Sequence, residues 1–164
     1  MPVQPVTLTP EEYEKLKLTL KQVNLKAQRL QTSTLQEISL RELQRRFTSF
    51  VDLVAPLKRG ATQDRTSVDR EWKSCRRFEV AQVRGYILRP ETPPVADPVA
   101  QAELKAIMVT VGKLDNDISG GNWGNVETLC SQFQDEIEDG IRECRRITDG
   151  ELREIFTITQ NMNL

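Results

Sequence analysis

Arg70, Lys73, Arg76, Arg77 and Arg84 crowd together around Trp72, Phe78 and Tyr86. Cations attract phosphate and aromatic rings stack on unpaired bases, so the mixture suits a single-stranded nucleic acid. The plainer reading is a basic helix with buried aromatics that pairs with an acidic part of its own or a neighbouring chain. The charge distribution is compatible with both. Residues 1–57 hold 8 Lys/Arg against 6 Asp/Glu, a net of +2; residues 58–89 hold 9 against 4, a net of +5; residues 90–164 hold 6 against 14, a net of −8. A basic middle beside an acidic C-terminal part predicts head-to-tail self-association or a polyanion docked on the middle. Uneven solvation of helix faces would produce the same pattern.

Catalytic chemistry has little to work with. The chain contains no histidine, which removes the commonest general base and the commonest metal ligand together. No GxSxG, GxxxxGK[ST] or GxGxxG occurs. Gly120-Gly121-Asn122-Trp123-Gly124 lacks the lysine and preceding strand of a phosphate cradle and reads as an interhelix turn. Asp135, Glu136, Glu138, Asp139 and Glu143 crowd one stretch, but a di-iron bundle also needs ExxH. Asp115 and Asp117 echo a calcium loop whose glycine and terminal glutamate are out of register. Both clusters read as solvated faces or helix ends. The expectation is therefore no enzyme, no cofactor, no metal and no small-molecule substrate. Cys75, Cys130 and Cys144 form no CxxC pair and read as buried reduced thiols in a reducing, cytoplasmic setting. No run of 18 apolar residues exists to span a membrane, and Met1–Pro5 has no signal-peptide pattern.

The elements that must position the basic segment are helical. Thr9, Pro10 and Glu12 form a capping box with proline at the first helical position. Apolar residues follow at Tyr13, Leu16, Leu20, Val23, Ala27 and Leu30, spaced by three and four, which predicts a helix over 10–31. Gln31-Thr32-Ser33 reads as a break. Capping boxes at Thr34…Glu37 and Ser39…Glu42 start a second helix, with Leu40, Leu43, Phe47, Phe50 and Val54 buried and Pro56 as the stop. Two helices joined so briefly should pack antiparallel. Residues 57–70 read as a polar loop, and Glu71–Arg89 as helix or irregular chain. Pro90, Pro93, Pro94 and Pro98 mark a stiff connector. A third helix opens at Asp97-Pro98, buries Ala100, Leu104, Ile107, Val111, Leu114 and Ile118, and ends at Gly120-Gly121. Asn122 or Asn125 caps a fourth that buries Val126, Cys130, Phe133, Ile137, Ile141 and Cys144. A short last helix begins at Thr148 and buries Leu152, Ile155 and Phe156. One apolar stripe per helix predicts an all-α, single-domain four-helix bundle with a short extra helix and an irregular basic middle over 58–96.

The order of these elements resembles the coat proteins of rod-shaped plant viruses of the tobacco mosaic virus type. The resemblance is carried by Gln31-Thr32 between two helices and by Leu43-Gln44-Arg45-Arg46-Phe47-Thr48-Ser49 in the second. The Arg77-Phe78 pair, Val83 and Tyr86, Asp97-Pro98 and Asn125-Val126 extend it. It implies a self-assembling virion subunit that packages single-stranded RNA near the inner ends of the third and fourth helices. It also implies carboxylates that repel one another across subunits at high pH. The chain departs from that pattern: it is longer between Phe47 and Phe78 and shorter from Asp115 to Asn125. Only Lys113 stands where the family carries an arginine pair, and Leu152, Glu154 and Phe156 replace its C-terminal Phe-Glu and Trp. Arg70, Lys73, Arg76, Arg77, Arg84 and Lys113 are thus the candidate RNA contacts, with further copies of the chain as the other expected partner. The alternative is a helical adaptor that binds a different protein.

Overall fold

The computed structural model describes residues 7–58, 65–80 and 98–162. Among these residues the fold is all-α, with four helices: α1 Pro10–Lys58, α2 Arg65–Phe78, α3 Pro98–Gly120 and α4 Trp123–Asn161. α1 begins where the capping box places it. The Glu12 amide donates to Thr9 Oγ1 at 3.2 Å and the Tyr13 amide to the Thr9 carbonyl at 2.9 Å.

The break at 31–33 does not exist, and the antiparallel hairpin it implied is replaced by one helix of 49 residues. Ser33, read as part of the break, and Thr34, read as a cap, serve the helix instead. Thr34 Oγ1 donates back to the Leu30 carbonyl at 2.7 Å, and Ser33 Oγ to the same carbonyl at 3.1 Å. Such back-bonding keeps a hydroxyl residue inside a helix, and no glycine or proline nearby forces a stop. Glu42 is likewise no cap partner; it accepts from Arg45 and Arg46. α1 runs two residues past Pro56, because a proline in the last turn removes one hydrogen bond without blocking the next two residues. The same correction holds at Thr148, where Oγ1 donates to the Cys144 carbonyl at 3.0 Å. There α4 continues unbroken, so the separate last helix is absent. Residues 65–70, expected as loop, form the start of α2, which ends in a wider turn at Glu79 and Val80. Residues 81–89 and Pro90, Pro93 and Pro94 of the connector lie outside the described residues, and Pro98 opens α3.

Every neighbouring pair runs antiparallel. α1 and α4 share the longest seam, held in one register: Lys26 meets Glu154, Arg29 Glu151, Ser33 Thr148, Gln36 Cys144 and Phe47 Phe133. The two residue numbers of each pair total 180 or 181. Gly140 lets the seam close: a Cβ there would stand 3.1 Å from Leu40 Cδ1. α2 packs on α1 through Phe50 and Trp72, whose ring centroids are 5.3 Å apart. α3 packs on α4, with Thr110 donating to Glu136 at 2.9 Å. The core holds Leu40, Leu43, Phe47, Phe50 and Val54 from α1. α2 adds Val68, Trp72 and Cys75, α3 adds Leu104, Ile107, Val111, Leu114 and Ile118, and α4 adds Val126, Cys130, Phe133, Ile137 and Cys144. Ile141 is only half-buried.

Beyond Ser33 the arrangement changes. The α3–α4 pairings place the start of α3 beside the end of the bundle, so α1 and α4 continue as a two-helix arm. In that register Asn161, the last residue of α4, reaches the height of Thr19, so the two-helix stretch is about 20 Å long at 1.5 Å per residue, and α1 residues 10–18 run beyond it. Its seam is ionic: Glu151, almost fully buried, sits between Arg29 at 3.2 Å and Lys26 at 3.7 Å. The stripe from Tyr13 to Leu30, expected as core, is therefore not core. Tyr13 is 56% exposed and Leu20 54%, and on α4 Leu152 and Phe156 are exposed rather than buried. The physical reason is that α2 and α3 do not extend to that height.

Candidate nucleic-acid interface

α2 is fixed by its apolar edge and its ends. Val68, Trp72 and Cys75, spaced by four and three, are buried. The Trp72 indole donates to Asp115 Oδ1 at 2.6 Å, satisfying the buried N–H on α3. At the other end, Arg65 donates to the Ile118 carbonyl at 2.5 Å and lies 5.1 Å from the Trp123 ring centroid. It thereby clamps the α3–α4 turn. That turn is closed by Gly121, whose φ of 70° suits glycine, with the Gly121 and Asn122 amides donating to Ile118 and Asp117. Asn122 precedes α4, but its side chain makes no cap bond to the helix.

The other edge of α2 is cationic. Arg70, Lys73 and Arg77, again at steps of three and four, line an open cleft of about 740 Å³ with Arg46, Ser74 and Phe78. Asp69, which pairs with Arg65 at 3.3 Å, also lines it. The far wall comes from α1. Arg46 lies 4.5 Å from the Phe78 ring centroid and donates to Glu42 at 3.1 Å and to Ser74 at 3.5 Å. Glu42 is pulled down to about 2 by the hydrogen bond from Arg45, with Arg46 beside it, so it stays ionised and holds both guanidiniums.

The six residues expected to contact nucleic acid do not form one surface. Arg70, Lys73 and Arg77 stand together in the cleft. Arg76 turns away and pairs with Asp115 at 3.1 Å, tying the basic segment to the acidic part of its own chain. Lys113 lines a separate shallow groove between α3 and α4, with Asn116 and Asn125. Arg84 and Tyr86 lie outside the described residues. Trp72, expected as a stacking ring, is buried and cannot reach a base; its helical position faces Phe50. Phe78 is half-buried, with Arg46 over its ring. Arg46 is a site residue that sequence reasoning does not select. Its one signal is its position next to the core residue Phe47, on the edge of α1 that turns toward α2.

No family model, curated protein or solved structure matches this chain. Several other groups that could do chemistry are engaged in the fold. Cys75, Cys130 and Cys144 are free, buried thiols, each pushed up to about 12 by burial, so they are protonated and unreactive at neutral pH. Asp115 accepts from Trp72 and Arg76, and Glu136 from Thr110 and Gln132. Glu103 on α3 faces Asp139, Glu143 and Glu136 on α4. Its carboxyl is raised by partial burial first and by those three charges next. Among the described residues, no helix is long and apolar enough to cross a membrane.

Proposed function

We propose that this chain is a non-catalytic, self-assembling structural subunit whose basic cleft holds the phosphates of single-stranded RNA. The observation that carries the RNA half is the row Arg70, Lys73 and Arg77 along the exposed edge of a helix whose opposite edge is locked into the core. Three cations at that spacing span about 10 Å of one edge, a phosphate-tracking geometry that needs no base readout. The buried Trp72 favours backbone attraction over base stacking. Self-assembly is supported by the exposed apolar side chains of the arm and by what is left of the resemblance to rod-shaped virus coat proteins, which loses Gln31-Thr32 as an interhelix break because both lie inside α1.

The test is binding of single-stranded RNA by the full chain at several salt concentrations. Replacing Arg70, Lys73 and Arg77 together by alanine should weaken binding and flatten the salt dependence by about two units of log–log slope. Arg76→Ala should leave that slope unchanged. Equal affinity and slope in the triple variant would remove the cleft from the reading. A helical adaptor is the second reading, favoured by the same exposed arm; it predicts a discrete complex with a different protein and no salt-sensitive RNA binding.

A further inference from the structure

Arg46 enters the cleft from the α1 side and is held there differently from the other cations. Its Nε donates to Glu42 Oε1 at 3.1 Å, one turn back on α1. Its Nη1 donates to Ser74 Oγ at 3.5 Å, and its guanidinium carbon stands 4.5 Å from the Phe78 ring centroid, both on α2. The head group is thus fixed from three directions, two of them on the facing helix. Arg70, Lys73 and Arg77 are exposed, and none of them is ion-paired among the described residues. Their long side chains keep their rotamer freedom until a ligand orders them.

Helix geometry places Arg46 among these cations. Ser74 and Phe78 lie one turn apart on α2, about 6 Å along the axis. Arg46 meets both, so its head lies between their heights. Lys73 and Arg77 each precede one of those residues by a single position, about 100° round the helix. They line the same cleft as Arg46. Three cations from two helices therefore border one volume. The one carboxylate among the lining residues, Asp69, is taken by Arg65 at 3.3 Å.

We infer that Arg46 turns the cationic row into a clamp: one phosphate of the RNA strand is held between its fixed guanidinium on α1 and Lys73 and Arg77 on α2, with Glu42, Ser74 and Phe78 as positioning residues. The inference rests on the proposed RNA reading and adds a point of contact to it. A planar guanidinium lying on an aromatic ring turns its remaining N–H groups outward, in a fork that matches phosphate oxygens; an ammonium in its place has no such fork. Glu42 stands one turn behind Arg46 and outside the cleft lining. Its repulsion of a phosphate there is damped by water and salt, whereas its hold on Arg46 is direct.

Binding of oligouridylate to the full chain, followed by fluorescence anisotropy across a salt series, tests this. Arg46→Lys keeps the charge and loses the fork; it should weaken binding about tenfold with the salt slope unchanged, while Arg70→Lys stays within about twofold of wild type. In a Lys73→Ala/Arg77→Ala background, Arg46→Lys should cost less than about twofold, because the opposite jaw is already gone. Glu42→Ala removes an anion, so simple attraction predicts tighter binding; the clamp predicts binding weakened about threefold as Arg46 loses its anchor. Circular dichroism should show wild-type helical content in each variant. Wild-type affinity in Arg46→Lys overturns the inference. So does an equal cost of Arg46→Lys in both backgrounds, which marks a merely structural role, and so does tighter binding by Glu42→Ala. Failure of the RNA reading is distinct: there the wild type shows no salt-sensitive binding, or the Arg70, Lys73 and Arg77 alanine variant binds as well as wild type, and the clamp falls with it.

Discussion

The same two helices behave differently at their two ends. Around Leu40, Phe47, Phe133 and Ile137 the α1–α4 seam is apolar and closed, with the Phe47 and Phe133 rings edge to face at 4.6 Å. Around Lys26, Arg29 and Glu151 the seam carries an ion cluster; Val23, Leu30 and Ile155 are only half-buried there, and Tyr13, Leu20, Leu152 and Phe156 stand in solvent. Both ends show three-four spacing in the sequence. The difference lies in how many helices share a given height. With α2 and α3 present, the apolar stripe is enclosed. With only two helices, the seam is narrow, and a polar pairing such as Ser33 with Thr148 at 2.8 Å sets register without a large apolar contact. Apolar periodicity thus reports a helix reliably and its burial only where partners extend that far.

Matched truncations at the two ends should differ most. Phe133→Ala opens a cavity in the closed part and should cost about 3–5 kcal/mol in urea unfolding followed by circular dichroism. Phe156→Ala, measured on the dilute chain, should change stability by less than about 0.5 kcal/mol, because its ring is 63% exposed. Equal losses would erase the distinction between bundle and arm. A smaller effect concerns pH. The Glu103 carboxyl is raised in the fold, so its ionisation works against folding above the raised value, and that penalty disappears as pH falls below the ordinary carboxylate range. Glu103→Gln should therefore raise the melting temperature modestly at neutral pH, with the gain shrinking toward zero in acid. A gain that grows in acid would contradict the acidic surroundings assigned to it.

Much of the bundle was legible from spacing alone. Leu40 through Val54, Leu104 through Ile118 and Val126 through Cys144 are the residues that a three-four reading selects, and nearly all of them are buried. The turn at Gly120-Gly121 was legible because glycine punctuates helices for a conformational reason. The false break at 31–33 and the false restart at Thr148 share one cause. Ser and Thr followed by Glu three residues on are cap signatures, but the same hydroxyls bond the preceding turn when the chain continues as helix. The site was legible in part. Arg70, Lys73 and Arg77 share an edge because α2 is a helix, which the mixed pattern of Glu71–Arg89 left open. The diversion of Arg76 to Asp115 and the arrival of Arg46 both depend on tertiary neighbours that no local pattern records.

Amide hydrogen exchange along α1 tests the contrast between its two ends most directly. In the dilute chain, amides from Leu40 to Val54 should exchange only through global unfolding, while those from Tyr13 to Leu25 should exchange far faster, through local opening of the arm. At high concentration, protection should rise in the arm and not in the bundle. Uniform protection along the whole of α1 in the dilute chain would contradict the account.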